Sequence, residues 1–151
     1  MSLRNTMIAS VFSIGLAACA TTPAPTRDAT STSALTAQGA WKLNAATSAD
    51  GATLLPAGTD YRLQFVDDRV SVLGGCNRMS GRYAMVDGKL QVGALASTRM
   101  ACPEPRMQHD AVMAKLLEQP LTMFLMESHP EQLHLETPAG DKLSFTAMPL
   151  E

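Results

Sequence analysis

The tightest constraint on this chain is a two-residue hydrophobic period bracketed by turn residues. Arg82 to Val86 and Lys89 to Val92 flank Asp87-Gly88. Gln132-Leu133-His134-Leu135-Glu136 and Lys142-Leu143-Ser144-Phe145 flank Pro138-Ala139-Gly140-Asp141. Successive side chains of a strand point to opposite faces, so alternation buries one face and leaves the other to water. Asp-Gly suits a type I′ turn, whose twist matches that of antiparallel strands. Both segments therefore read as hairpins. Tyr61-Arg62-Leu63-Gln64-Phe65 and Arg69-Val70-Ser71-Val72-Leu73 alternate in the same way around Asp67-Asp68. Trp41 to Ala45 reads as a first strand, followed by a loop through Ser48-Ala49-Asp50-Gly51 and Pro56-Ala57-Gly58. Leu121 to Met126 is a more continuous apolar run and reads as a buried strand.

One segment breaks this pattern. From Glu104 to Gln119, Met107, Ala111, Ala114 and Leu117 recur at helical spacing, with Val112 and Leu116 beside them. Pro103 and Pro105 stand at its start, where a missing N–H costs little, and Pro120 stops it. The expected fold is mainly β (α+β): about eight short antiparallel strands in a partly open, small barrel-like sheet with one packing helix.

The N-terminal region has a different character. Arg4 provides a short basic start, Met7 to Leu16 is mostly apolar, and Leu16-Ala17-Ala18-Cys19 has the form of a bacterial lipobox. An apolar run of about ten residues is too short to cross a hydrocarbon layer of roughly 30 Å as a helix. Residues 1–18 therefore read as a cleaved lipoprotein signal peptide, with Cys19 as the lipidated mature N-terminus. Acyl chains bury many CH₂ groups at roughly 0.8 kcal/mol each, so lipid alone can hold the domain on a membrane. Ala20 follows the cysteine where an aspartate would retain a Gram-negative lipoprotein at the inner membrane, which points to the periplasmic face of the outer membrane. Residues 20–38 are rich in Thr, Ser, Ala and Pro, with almost no bulky apolar side chains, and read with Cys19 as a flexible tether. The folded domain is expected over residues 39–148.

Composition narrows the function. Without residues 1–18 the chain keeps 133 of its 151 residues, and the loss of Arg4 takes the net charge from −2 to −3. That is one small domain and a tether. No Lys/Arg cluster follows a phosphate backbone, so nucleic acid is excluded as a partner, and no polybasic patch adds to the lipid anchor. Cys76, Cys102, His109, His129 and His134 are scattered without metal-ligand spacing, so no metal or cofactor is expected. Ser80, Ser97 and Thr98 lack the framing of a nucleophile with base and orienting group, so no catalytic residue is assigned. His129 before Pro130 reads as a solvated turn residue, His134 as strand-exposed, and His109-Asp110 as surface-facing on the helix.

Gly74-Gly75-Cys76-Asn77-Arg78, followed by Ser80-Gly81-Arg82-Tyr83, resembles the first signature of the META domain family, which includes the HslJ-type envelope proteins. Thr98-Arg99-Met100-Ala101-Cys102 resembles the second. Trp41, a helix after the second cysteine and a final hairpin with Leu133, Leu135 and Phe145 fit as well, so the resemblance covers about residues 39–147. It implies a compact β-rich domain with a helix and no defined enzymatic activity, and an association with the envelope, stress tolerance or secretion. Gly75, Cys76, Asn77, Gly81, Thr98, Arg99, Met100 and Cys102 are its motif residues.

The local chemistry of these residues reads as structural. Gly74-Gly75 suits a tight bend or bulge, Asn77 tolerates left-handed backbone and can hydrogen-bond the local chain, and Gly81 allows another bend. Cys76 and Cys102 remain once Cys19 is acylated, and the periplasm is oxidising. A disulfide between Cys76 and Cys102 is the expected state, with two buried free thiols or a metal or redox site as the alternatives. Arg99 is expected to pair with a carboxylate such as Glu104, the alternative being that it binds an anion of a partner. Seven methionines, from Met79 through Met126, fill core gaps or line an adaptable apolar surface. The function expected is a non-enzymatic binding or assembly role in envelope stress tolerance, with an envelope protein as partner. The alternative is a carrier or sensor of a small apolar ligand held inside the barrel.

Overall fold

A computed structural model describes residues 29–126 and 128–149. Its elements are α1 (Ala29–Ala37), β1 (Ala40–Thr47), β2 (Thr53–Leu55), β3 (Arg62–Val66), β4 (Arg69–Leu73), β5 (Met79–Val86), β6 (Lys89–Val92), β7 (Ala96–Ser97), α2 (Glu104–Leu117), β8 (Leu121–Met126), β9 (His129–Glu136) and β10 (Lys142–Met148). Eight strands follow one another in the order β10-β9-β8-β6-β5-β4-β3-β1, all antiparallel. β1 and β10 also pair, from Ala40↔Met148 to Thr47↔Lys142, and this closes the sheet into a barrel. The expected mainly β class with a packing helix holds. The sheet is closed rather than partly open, because the first and last strands satisfy each other's backbone groups and leave no edge between them. β2 continues from β1 and β7 from β5, outside the eight-strand circuit.

The interior is a packed core. Leu63 and Phe65 of β3, Val70 and Val72 of β4, Leu133 and Leu135 of β9, and Leu143 and Phe145 of β10 alternate inward. Met79, Met85 and Met113 fill it further, the gap-filling role expected of them. An eight-stranded barrel is just wide enough for side chains to fill. β8 is more one-sided than its apolar run implied: Leu121 is buried, while Phe124 lies outside the barrel and is 49% exposed. Met123 packs against the core from the inward face. At the β5–β6 turn, Asp87 and Gly88 both take positive φ, 51° and 73°, as a type I′ turn requires.

Strand direction sorts the loops to two ends. β3 runs antiparallel to β4, so the Asp67-Asp68 turn lies at the opposite end from Gly74-Gly75. By the same pairing logic the start of β1, the β8–β9 turn and the end of β10 share the Asp67 end. The chain therefore enters and leaves the barrel at one end, and the Gly74–Asn77 loop stands at the other.

The segment read as tether contributes structure. Residues 29–37 form α1, Leu35 is fully buried, and the Trp41 indole N–H donates to the Leu35 carbonyl at 3.0 Å. Composition missed this because one leucine is enough when an indole beside it offers both apolar contact and a donor. The helix α2 also presents a face different from the one expected. Asp110, Met113, Leu116 and Leu117 are buried, while Met107 and Ala111 are exposed. The face is rotated because a polar residue, Asp110, anchors it. Leu35→Ala is expected to cost about 2 kcal/mol, as for other buried leucines, measured by urea unfolding of the full chain; an unchanged midpoint would mean α1 adds nothing to the barrel.

Candidate functional site

The two motif segments meet at the end of the barrel away from the start of β1 and the end of β10. Cys76 and Cys102 form a disulfide, with Cα atoms 5.9 Å apart, across a sequence separation of 26 residues. Closing a loop of that length contributes about 3–4 kcal/mol in the chain-entropy account. The free-thiol and metal readings of this pair are thereby superseded. Asn77 sews the same segments together: its Oδ1 accepts from the Met100 N–H at 2.8 Å and from the Thr98 hydroxyl at 3.1 Å. Thr98 in turn accepts from the Arg78 N–H at 3.1 Å, and its own N–H donates to the Arg78 carbonyl at 3.1 Å. Asn77 thus acts through its amide; its backbone does not take the positive φ that its residue type allows.

Asp110 lies under this junction. Its residue is only 6% exposed, and its carboxylate accepts four hydrogen bonds. Oδ1 takes the Tyr61 hydroxyl at 2.6 Å and the Cys76 N–H at 3.1 Å; Oδ2 takes the Asn77 N–H at 2.7 Å and the Asn77 side-chain amide at 3.1 Å. Four donors match the acceptor capacity of an ionised carboxylate. The surface-facing reading of Asp110 is therefore wrong. The signal was weak, since an Asp on a helix is usually solvated and its partners lie 33 or more residues away in sequence.

The glycines follow from this geometry. A Cβ on Gly75 would fall 2.0 Å from Asp110 Oδ1 and 2.7 Å from the Tyr61 ring. Gly74 has φ +92°, and a Cβ there would meet the Asp60 carbonyl at 1.6 Å. Gly81 does not make a bend; it lies within β5, where the missing side chain lets the Gly93-Ala94-Leu95 crossing lie against the strand.

Several expected partners are elsewhere. Arg99 is exposed and makes no ion pair with Glu104 among the described residues; Glu104 accepts from Gln108 at 3.2 Å instead. Arg99 lies in the Thr98–Pro103 stretch and Glu104 opens α2, where its own helix supplies a partner one turn on. His129 begins β9 rather than sitting in a turn, and its Nδ1 lies 3.2 Å from Glu131. His134 is half-buried on β9. Cys19 lies outside the described residues. A cleft of about 230 Å³ opens beside Gly74 and Gly75, with Thr59, Asp60, Arg106 and His109 on its walls. Arg106 donates to the Gly75 carbonyl at 3.2 Å, and Asp60 is engaged by Arg62 at 2.6 Å.

Fold and motif together define a small closed β-barrel domain whose signature residues fasten its loops to its helix. A profile of the META domain matches residues 33–149. The chain belongs to the META domain family. It is similar to a protein from Burkholderia xenovorans solved by NMR, with TM-score 0.65 and 29% identity over 91% of this chain and 99% of that one. A second NMR structure, 22% identical with TM-score 0.53, covers 73% of this chain and 89% of its own and shares the fold. No curated protein matches the chain.

Asp110→Ala would orphan the Tyr61 hydroxyl and two backbone N–H groups, and is expected to cost about 3 kcal/mol or more. Asp110→Asn, which keeps an acceptor, should cost less; equal losses in urea unfolding would deny the role of the acceptor. Burial, and then the Asp110 carboxylate, push the Tyr61 phenol well above the ordinary tyrosine value. Burial also raises Tyr83, with Asp68 and Asp67 adding to it. A raised folded-state value means stability is fully present below the unfolded tyrosine pKa of about 10 and lost as pH climbs toward the folded one. Unfolding free energy should therefore fall above pH about 10, and Tyr61→Phe should flatten that fall. A slope unchanged in the variant would assign the loss to other groups.

Proposed function

We propose that this META-domain protein is a lipid-anchored envelope protein, acylated at Cys19 and facing the periplasm from the outer membrane, with a non-enzymatic binding or assembly role in stress tolerance. The observation that carries the reading is the separation of the two barrel ends. The chain reaches the barrel through α1 at one end, next to the lipobox segment in sequence, and the motif loops stand at the other. A tethered domain of this design holds its signature face away from the membrane.

The polar groups of the motif support a binding role over a catalytic one. Asp110, Tyr61, Asn77 and Thr98 spend their hydrogen bonds on one another and on the backbone. A general base or nucleophile needs a free atom aimed at substrate. The carrier reading gains no support from the barrel interior, whose inward positions are packed with Trp41, Leu63, Val72, Leu90, Leu133 and Phe145.

The test is metabolic labelling with a tagged fatty acid. The wild-type chain should take up label and fractionate with the outer membrane, while Cys19→Ser should accumulate as unlabelled precursor. Equal labelling of both would overturn the anchor.

A further inference from the structure

The Thr98–Pro103 stretch has no helix or strand of its own, yet it is held at three points: the Thr98 N–H to Arg78, the Met100 N–H to Asn77, and the disulfide at Cys102. From Ala96 to Gln108 every residue is exposed except Cys102, which is half-buried. A loop that buries so little of itself gains nothing for the core by being ordered. What its ordering does supply is a surface whose conformational entropy has already been lost before a partner arrives.

The side chains it presents are of one kind. Across Arg78, the Thr98–Pro103 loop and the first turn of α2, Arg78, Arg99 and Arg106 stand against Glu104 alone, a net +2 in a chain of net −2. Asp60, across the cleft from Arg106, is engaged by Arg62, and Asp110 is buried beneath. Among the arginines Met100 is 61% exposed and Met107 37%. Arginine with methionine is the pairing that interfaces favour: a fork for carboxylates beside an adaptable apolar contact.

We infer that the Thr98–Pro103 loop, with Arg78 and the first turn of α2, is a docking face for an acidic segment of another protein that carries apolar side chains between its carboxylates. The inference rests on the anchored binding-module reading for its choice of partner. The face lies at the barrel end opposite the one where the chain arrives, so the anchoring membrane is on the other side and a protein is the occupant that charge complementarity selects.

The probe is a fluorescent peptide of alternating glutamate and leucine, titrated into the detergent-solubilised full chain and followed by anisotropy, against a lysine–leucine peptide of equal length. The acidic peptide should bind saturably and the basic one should not. Arg99→Glu combined with Met100→Ser should weaken binding by about tenfold or more, the scale of losing a central contact. Arg69→Glu, at the other barrel end, should leave it unchanged. Arg99→Ala, which removes exposed atoms only, serves as the second variant, with far-ultraviolet circular dichroism reporting the fold. Equal binding of both peptides, equal loss in Arg69→Glu, or displacement by phosphatidylglycerol bicelles at matched charge would each overturn the proposal, the last by making the face a lipid contact. The assay does not depend on acylation, so peptide binding with no label at Cys19 would overturn the anchor and leave the docking face standing.

Discussion

The Asp110 carboxylate is the point on which the motif end of this protein depends. One side chain from α2 accepts from β3's approach at Tyr61, from the backbone of Cys76 and Asn77, and from the Asn77 amide. A buried carboxylate is costly unless every lone pair is used, and here the donors come from two distant parts of the chain, Tyr61 and the Cys76-Asn77 pair. The arrangement also explains residues that seem unrelated in sequence. Gly75 lacks a side chain because Asp110 and Tyr61 occupy the space where one would be. Asn77 serves both Asp110 and Met100, and so carries the helix's position into the Thr98–Cys102 segment. The disulfide then fastens covalently two segments already held by hydrogen bonds.

This division separates two tasks in a small domain. The barrel wall and its packed interior provide stability, with the start of β1 and the end of β10 at one rim. The other rim carries irregular loops that would be mobile without Asp110, Asn77 and the cysteine pair. Loops held rigidly on a stable scaffold are where proteins commonly place binding residues. Among these loops Asn77 and Cys102 are half-buried and fastened to their neighbours, while Arg99 and Met100, side by side between Thr98 and Cys102, are turned to solvent.

Much of the barrel was legible from local pattern. β4, β6 and β8 occupy the residues that alternation and turn chemistry indicated, and α2 starts where the prolines placed it. β5 starts earlier than expected, at Met79, since Gly81 reads as a turn residue but lies within the strand. β2 and β7, three and two residues long, are too short to show a period. α1 was hidden by its composition, because its burial comes from Leu35 and Trp41 meeting across six residues. The pairing of Arg99 with Glu104 failed because Glu104 opens α2 and finds its partner one turn on in its own helix.

The sequence by itself determined the strand-rich class, the turn positions, the helix limits and the two signature segments, since each depends on interactions among neighbours a few residues apart. Tertiary structure alone decided that β1 closes on β10, which face of α2 turns inward, and that Asp110 is buried. Those outcomes join groups more than 30 residues apart in the chain, and no local period or propensity encodes which distant donor a carboxylate will meet.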